Sequence, residues 1–388
     1  MDSTPLPGDR LPLDGVTVVS LEQAVAAPIA SRHLADLGAR VIKVEKPGEG
    51  DFARRYDSAV NGLASHFVWL NRSKESIEAD LKSDDGLALV RSLIANADVF
   101  IQNMAPGVVE RLGLDADTLR ADHPELIVVN ISGYGTTGPM ADHKAYDMLV
   151  QAESGMISVT GSPEQPSKTG VPNADIAAGL YAAMSVLSAL YRRSTTGGGA
   201  VIDVSMFDSA VEWMGHAMYL QMYAGVQVPR LGLGHASIAP YDGYPTSDGQ
   251  VLIGVQNDRG WRALVTEVFE RPEVLDDPRF TNNPLRVRHR AECDEFVANQ
   301  TRQMTSAELE DRLYRAGIPA ARVRLVADVV EHPQLAARDR WREVGTEAGP
   351  IRALLPPMTF RDVELQMGPV PALGEQTQAL AEEFGLTD

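Results

Sequence analysis

The chain has 388 residues, room for two to three domains, and its 44% hydrophobic and 23% charged content excludes disorder as the main state. Against 35 basic residues stand 53 acidic ones, a net charge of −18, which argues against nucleic acid or an anionic membrane as partner; an anionic ligand needs a local basic pocket. Cys293 is the only cysteine, so an internal disulfide framework and a cysteine-based zinc site are excluded, and a reducing, cytoplasmic setting is expected.

Residues 1–10 contain acidic, Gly and Pro residues without an apolar core, unlike a secretory signal. A β-branched run at 16–20 predicts the first strand, and a helix follows over 28–37, with Pro28 in its first turn and Gly38 just past its end. Strand 41–45, a short run at 77–80, helix 84–96, strand 99–102, a helical piece at 108–112 and strand 126–131 come next. These strands are mostly apolar rather than alternating, which indicates burial on both faces and parallel pairing through helical crossovers. The expected class is therefore α/β, with a Rossmann-like parallel sheet.

An apolar helix over 176–193, strand 201–205 and one helix over 207–224 complete this part. The longest apolar stretch, 180–191, is interrupted by Ser185 and Ser188 and reads as too short to span a bilayer. Beyond Val226 the composition shifts: Pro229, Gly232, Gly234, Pro240, Gly243 and Pro245 crowd together, and Ser247-Asp248-Gly249 signals a hairpin. Helices are expected at 259–269, 288–305, 306–316 and 375–384. The domain reading is a large unit, 1–225, to which 331–388 returns, and a smaller α+β unit, 226–330, inserted between them.

Several motifs compete for the chemistry. Gly133-Tyr-Gly135-Thr-Thr-Gly138 formally matches a dinucleotide-binding fingerprint, but Pro139 follows at once, no helix opens at the third glycine, and the strand before it is a late one. It reads as a β–α turn. Gly197-Gly198-Gly199 lacks the Lys-Ser/Thr of a phosphate loop and leads into a strand. The eight histidines show no HxH or HxxxH spacing and GxSxG is missing, so neither a metal centre nor a serine hydrolase is expected. Asp175, in Val171-Pro-Asn-Ala-Asp175 ahead of the apolar helix, has two readings. It is a helix N-cap, or it is a carboxylate kept ionised by the helix N–H groups and able to attack an activated acyl carbon. Position alone does not choose between them.

In order along the chain, the pieces resemble the family III CoA-transferases, the group of formyl-CoA, carnitine and bile-acid CoA-transferases with the related α-methylacyl-CoA racemases. The pieces are Leu13-Asp-Gly15-Val-Thr-Val-Val-Ser20, Leu37-Gly-Ala-Arg-Val-Ile-Lys-Val-Glu45-Lys46-Pro47, Asn71-Arg-Ser-Lys74-Glu-Ser-Ile77 and Gln102-Asn103-Met-Ala-Pro-Gly107 with Arg111-Leu-Gly113. Ser132-Gly-Tyr-Gly135, Tyr146-Asp147, Gln151, the Asp175 segment, Thr196-Gly-Gly-Gly199, Asp203-Val-Ser-Met-Phe-Asp208 and Leu373-Gly374-Glu375 extend the likeness over nearly the whole chain.

This resemblance implies that Asp175 is the nucleophile. It also implies CoA contacts at Val25, Ala26, Lys46, Ala79, Asp80, Leu81, Lys82, Asn103, Met104, Ala105, Arg111, Lys144, Ala145, Tyr146, Asp147 and Met206. Lys46, Arg111 and Lys144 suit a ligand bearing several phosphate charges, although each singly reads equally as a solvated surface charge, and Asn103 as a turn residue. The implied activity is acyl-CoA:carboxylate CoA transfer through an aspartyl anhydride and an aspartyl-CoA thioester. CoA or acyl-CoA is the substrate, a carboxylic acid the acceptor, and no cofactor is tightly bound. The resemblance further implies a homodimer of interlocked subunits. The racemase branch carries a histidine and a glutamate where this chain looks to have Tyr146 and Pro245, neither suited to exchanging an α-proton. A short Gly232–Gly234 loop, flanked by His235 and Tyr241, is a thin counterpart of a glycine-rich lid. Three alternatives stay open at this point: a racemase or epimerase, a nicotinamide oxidoreductase, and a non-catalytic CoA-binding protein.

Overall fold

Six short segments form one parallel sheet: β1 (Thr17–Leu21), β2 (Arg40–Glu45), β3 (Lys74–Glu78), β4 (Val99–Gln102), β5 (Ile127–Ser132) and β6 (Ala200–Ser205). Their spatial order is β3-β2-β1-β4-β5-β6, the doubly wound arrangement in which the chain reverses direction across the sheet between β1 and β4. The computed structural model describes residues 10–365 and 367–384.

Successive strand residues serve opposite faces, which is why most of the strands read as largely apolar runs, whereas β3, Lys74-Glu-Ser-Ile-Glu78, carries one apolar residue. Val18, Val41, Val99, Ile101, Ile127 and Val129 pack with α1 (Ala26–Asp36) on one side. Val19, Ile42, Ile77, Phe100 and Val128 pack on the other. In chain order the helices are α1, α2 (Ser65–Leu70), α3 (Asp84–Ala95), α4 (Val108–Leu112), α5 (Ala116–Asp122), α6 (Asp147–Glu153), the single turn α7 (Met156–Val159), α8 (Asn173–Thr196) and α9 (Met206–Trp213). α8 is joined to the first face through small residues, Ala174, Ala178, Ala182 and Ala183 among them. At Gly179 an added Cβ would stand 2.1 Å from Ile29 Cγ2 and 2.5 Å from the Ala26 carbonyl, so only glycine lets α8 approach α1 this closely.

The sequence reading is corrected in several places. The helix expected over 207–224 is two, ending at Trp213 and restarting at Gly215. That expected over 288–305 is shorter, Arg290–Thr301, and is preceded by a separate helix, Asn283–Arg288, that was not expected. The apolar stretch taken as 180–191 belongs to a helix of 24 residues, long and apolar enough by length and composition to cross a membrane. Its alanine face is buried on α1, however, and its other face carries Leu180, Met184, Leu187 and Tyr191 exposed.

The chain divides into two units. One runs up to Met156 and includes Lys168–Met218 and the segment from Ala337; the other comprises Ile157–Ser167 and Tyr219–Ala336. The second thus begins earlier than 226 and includes a separate stretch ahead of α8. Hydrogen bonds account for that: Gly232 N–H donates to the Gly161 carbonyl at 2.8 Å, and Arg230 donates from Nε to the Ser162 carbonyl at 3.0 Å. In this unit Tyr241–Pro245 and Gln250–Gly254 form the expected hairpin, extended by Ala320–Arg322. Its core holds Trp261, Leu264, Val268 and Cys293, the last of these fully buried.

Candidate active site

Two clefts open along the carboxyl ends of the strands, both within the larger unit. This is the edge where ligands bind in doubly wound sheets. The first cleft, about 820 Å³, lies over the ends of β1, β4 and β5 and the start of α9. It is lined by Val25, Ala26, Asn103, Met104, Ala105, Lys144, Ala145, Tyr146, Asp147, Asp175 and Met206. The second, about 610 Å³, lies over β2, β3 and the start of α4, and is lined by Lys46, Ala79, Asp80, Leu81, Lys82 and Arg111. Gln23 and Met104 border both. Asp175 and every residue expected to contact CoA therefore line one cleft or the other.

The floor is held by side chains at matched strand positions. Gln102, Asn130 and Asp203 are register partners on β4, β5 and β6. Gln102 Nε2 donates to Asn130 Oδ1 at 3.0 Å, and Asn130 Nδ2 to Asp203 Oδ1 at 2.9 Å. Asn103 clasps the turn after β1, accepting from Gln23 N–H and donating to the Gln23 carbonyl, each at 2.9 Å. In that turn Ala24 has φ +62°, a left-handed conformation uncommon for alanine, and its N–H donates to Asp51 Oδ1 at 3.1 Å. At the end of β5 an added Cβ on Gly133 would stand 2.2 Å from Ala145 Cβ. That contact seats the Lys144–Tyr146 segment on the strand end.

Beneath the turn lies an ion network that sequence reasoning did not find. Lys43, Lys74, Glu22 and Asp51 are all buried. Lys74 Nζ meets Glu22 at 2.6 Å and Lys43 Nζ meets Asp51 at 2.9 Å, while Arg54 grips Glu45 through two hydrogen bonds. Burial opposes ionisation of Glu45, but the Arg54 hydrogen bond and the charges of Lys43 and Arg54 outweigh it and hold the carboxyl at about 2. Burial brings Lys74 down to about 8 despite Glu22. Glu22, Glu45 and Asp51 border the second cleft, yet each is already neutralised. Lys82 and Arg111 form no ion pair among the described residues, whereas Lys46 is paired with Glu49. Asp80 also lines this cleft, so Lys82 and Arg111 leave one net positive charge there, against the overall −18. The signal for the network was Lys43 among the apolar residues Val41, Ile42 and Val44 of β2.

Asp175 is the third residue of α8, and the N-cap is Pro172, which offers no side-chain acceptor. The N-cap reading is thus corrected. So is the expectation that the helix N–H groups keep Asp175 ionised. Those groups face Asp147, whose Oδ1 accepts from Ala174 N–H at 2.8 Å and Asp175 N–H at 3.4 Å. Among the described residues nothing donates to the Asp175 carboxylate. Burial, and secondarily the charge of Asp147, push it up from 3.8 to about 7. It stands half-buried in the first cleft, which Tyr56 and His66 also line, their rings meeting edge to face at 5.5 Å. An unbonded, desolvated carboxylate with a raised pKa is equipped for nucleophilic or acid–base work rather than for structural pairing. Among the described residues there is no cluster of three metal-ligating side chains.

Comparison with known proteins agrees with this architecture. A succinate–glutarate CoA-transferase of Agrobacterium fabrum is 36% identical over 390 residues, covering 98% of this chain and 97% of its own. An acetyl-CoA:oxalate CoA-transferase of Acetobacter aceti is 35% identical, with 96% of each chain covered. The crystal structure of a CaiB/BaiF family protein from Brucella suis superposes with a TM-score of 0.87 at 36% identity, covering 97% of this chain and 100% of that one. The description of CoA-transferase family III matches residues 13–377, from just ahead of β1 to the last helix. With its strand order, its paired clefts and this match along almost its whole length, the chain belongs to CoA-transferase family III.

Proposed function

We propose that the chain transfers CoA between carboxylic acids, with Asp175 as nucleophile and small dicarboxylic acids as the substrate class. One observation carries the assignment of the nucleophile: the unbonded carboxylate at the mouth of α8, set in a cleft that adjoins a basic one. The substrate class is supported by the names of the Agrobacterium and Acetobacter relatives, which specify succinate, glutarate and oxalate.

In the proposed reaction the Asp175 carboxylate attacks the thioester carbonyl, forming an aspartyl acyl anhydride and expelling CoA thiolate. The thiolate attacks the aspartyl carbonyl, giving an aspartyl-CoA thioester and releasing the donor carboxylate. The acceptor carboxylate attacks that thioester, so a second anhydride forms and thiolate leaves again. Attack of the thiolate on the acceptor's acyl carbon yields the new acyl-CoA and restores Asp175. The thioester energy is carried over at each step, without hydrolysis. The nucleotide phosphates lie by Lys82 and Arg111 in the second cleft, and the pantetheine arm passes Met104 toward Asp175.

Mass spectrometry after incubation with succinyl-CoA tests the reading. A CoA-sized adduct is expected on the Asp175 peptide, and Asp175→Ala should lose adduct and transfer while CoA still binds. Retained transfer would overturn the assignment. Absence of solvent deuterium at the α-carbon separates this reaction from racemisation. We also infer a homodimer in the cytoplasm. The exposed Leu180, Met184, Leu187 and Tyr191 stripe on α8 supports a second copy as its cover, and light scattering at the monomer mass would refute it.

A further inference from the structure

The two carboxylates at the start of α8 are treated unequally. Asp147, the first residue of α6, is fully engaged: Oδ1 takes the Ala174 and Asp175 N–H groups, and Oδ2 accepts from Gln151 Nε2 at 2.6 Å. Gln151 is itself fully buried, and its Oε1 accepts from the Thr169 N–H at 3.0 Å and the Thr169 hydroxyl at 3.1 Å. A continuous relay thus runs from Thr169 through Gln151 and Asp147 to the first turn of α8. The first N–H groups of a helix need acceptors, and here a different helix supplies them because Pro172 cannot.

We propose that Asp147 is a positioning residue, which anchors the first turn of α8 from outside the helix and holds a fixed negative charge against Asp175. The nucleophile is thereby presented unbonded and basic to the acyl carbon. This rests on the reading of Asp175 as nucleophile. The consequence for chemistry is direct. When Asp175 attacks, its oxygen becomes part of a neutral anhydride, the negative charge leaves with the CoA thiolate, and the repulsion from Asp147 is relieved. Free carboxylate is therefore raised in energy relative to the covalent state.

Other polar and charged groups lie in the cleft of Asp175, Glu110, Asp115 and Asp142 among them, or on the elements packed against α8. Lys144, Tyr146, His143, Tyr56, His66 and Lys168 line the same cleft. α6 also carries Glu153, α1 carries Arg32, His33 and Asp36, α9 carries Asp208 and Glu212, and β6 carries Asp203, which is bonded to Asn130. Of all these, only Asp147 adds its charge to burial in acting on Asp175.

The test uses the full chain with succinyl-CoA and glutarate between pH 5 and 9. The rate of adduct formation in the parent should rise with pH through about 7. In Asp147→Asn that limb should move down by about one pH unit, and the rate above pH 8 should fall roughly tenfold as repulsion is lost. Asp147→Glu keeps the charge and should hold the limb in place while slowing the reaction. A limb unmoved in Asp147→Asn, or moved in Asp147→Glu, overturns the proposal. A second readout needs no activity. The substitution Asp175→Asn changes stability by an amount that varies with pH, and this variation should shrink when Asp147→Asn is also present. If no adduct forms at all, the nucleophile reading fails, yet the stability comparison still decides whether Asp147 governs Asp175.

Discussion

Asp175→Asn should stabilise the protein, and by an amount that depends on pH. In the folded chain the carboxyl is held at about 7 against an ordinary 3.8. The folded state therefore binds a proton more tightly than the unfolded chain, and stability falls as pH rises from about 4 to about 7. At roughly 1.4 kcal/mol per pH unit the full penalty is roughly 4 kcal/mol above neutrality, and roughly half that at pH 5. Asparagine has no charge to desolvate and is nearly the same size. Urea unfolding followed by tryptophan fluorescence suits the question, since Trp69, Trp213 and Trp341 lie in the unit that holds Asp175. The variant should exceed the parent by roughly 3–4 kcal/mol at pH 8, and the gap should narrow by roughly 2 kcal/mol at pH 5. A gap that does not vary with pH, or a variant less stable at pH 8, would refute the claim that the native fold destabilises the ionised form.

Other expectations follow from the packing. Lys43→Met should cost about 3–5 kcal/mol in urea unfolding, because Glu22 and Asp51 lose their shared cation in a buried place; a loss below about 1 kcal/mol contradicts the network. Gly179→Ala should destabilise by about 1–3 kcal/mol, since its Cβ collides with Ile29 and the Ala26 carbonyl. It should also reduce transfer, because Ala26 and Asp175 face the same cleft. The Cys293 thiol, pushed up to about 12 by burial and then by Asp294, should resist aromatic disulfide reagents at pH 8 until the protein is unfolded.

Most strand positions were legible because double burial leaves runs of Val and Ile, and the segments 99–102 and 108–112 match their predicted bounds; β3 was expected at 77–80 rather than Lys74–Glu78, Ile77 being its one apolar residue. α2 and α6, six and seven residues long, were not read: a 3.6-residue period hardly repeats in them, and neither has the glycine caps, Gly107 and Gly113, that bracket the still shorter α4. The break at Met214-Gly215 was hidden for a related reason: apolar residues continue on both sides of it. Site residues were found through order along the chain, but their division of labour was not. Asp147 reads in the sequence as a contact to ligand, whereas its carboxylate is committed to the α8 N–H groups, a partnership spanning 27 residues that no local pattern reveals. Likewise Lys43 looked like an ordinary strand residue, and Lys74 lay outside the expected run at 77–80, until the fold brought Glu22 and Asp51 beside them.

The shared border of the two clefts has a consequence for selectivity. Among the described residues only Gln23 and Met104 border both recesses, so a molecule filling both is gripped at its far end while its reactive end is aimed. Anchorage distant from the bond being broken then sets the angle of attack. A clipped thioester that lacks the distal handle would lose its orientation at the carboxylate and react slowly even when it saturates the protein.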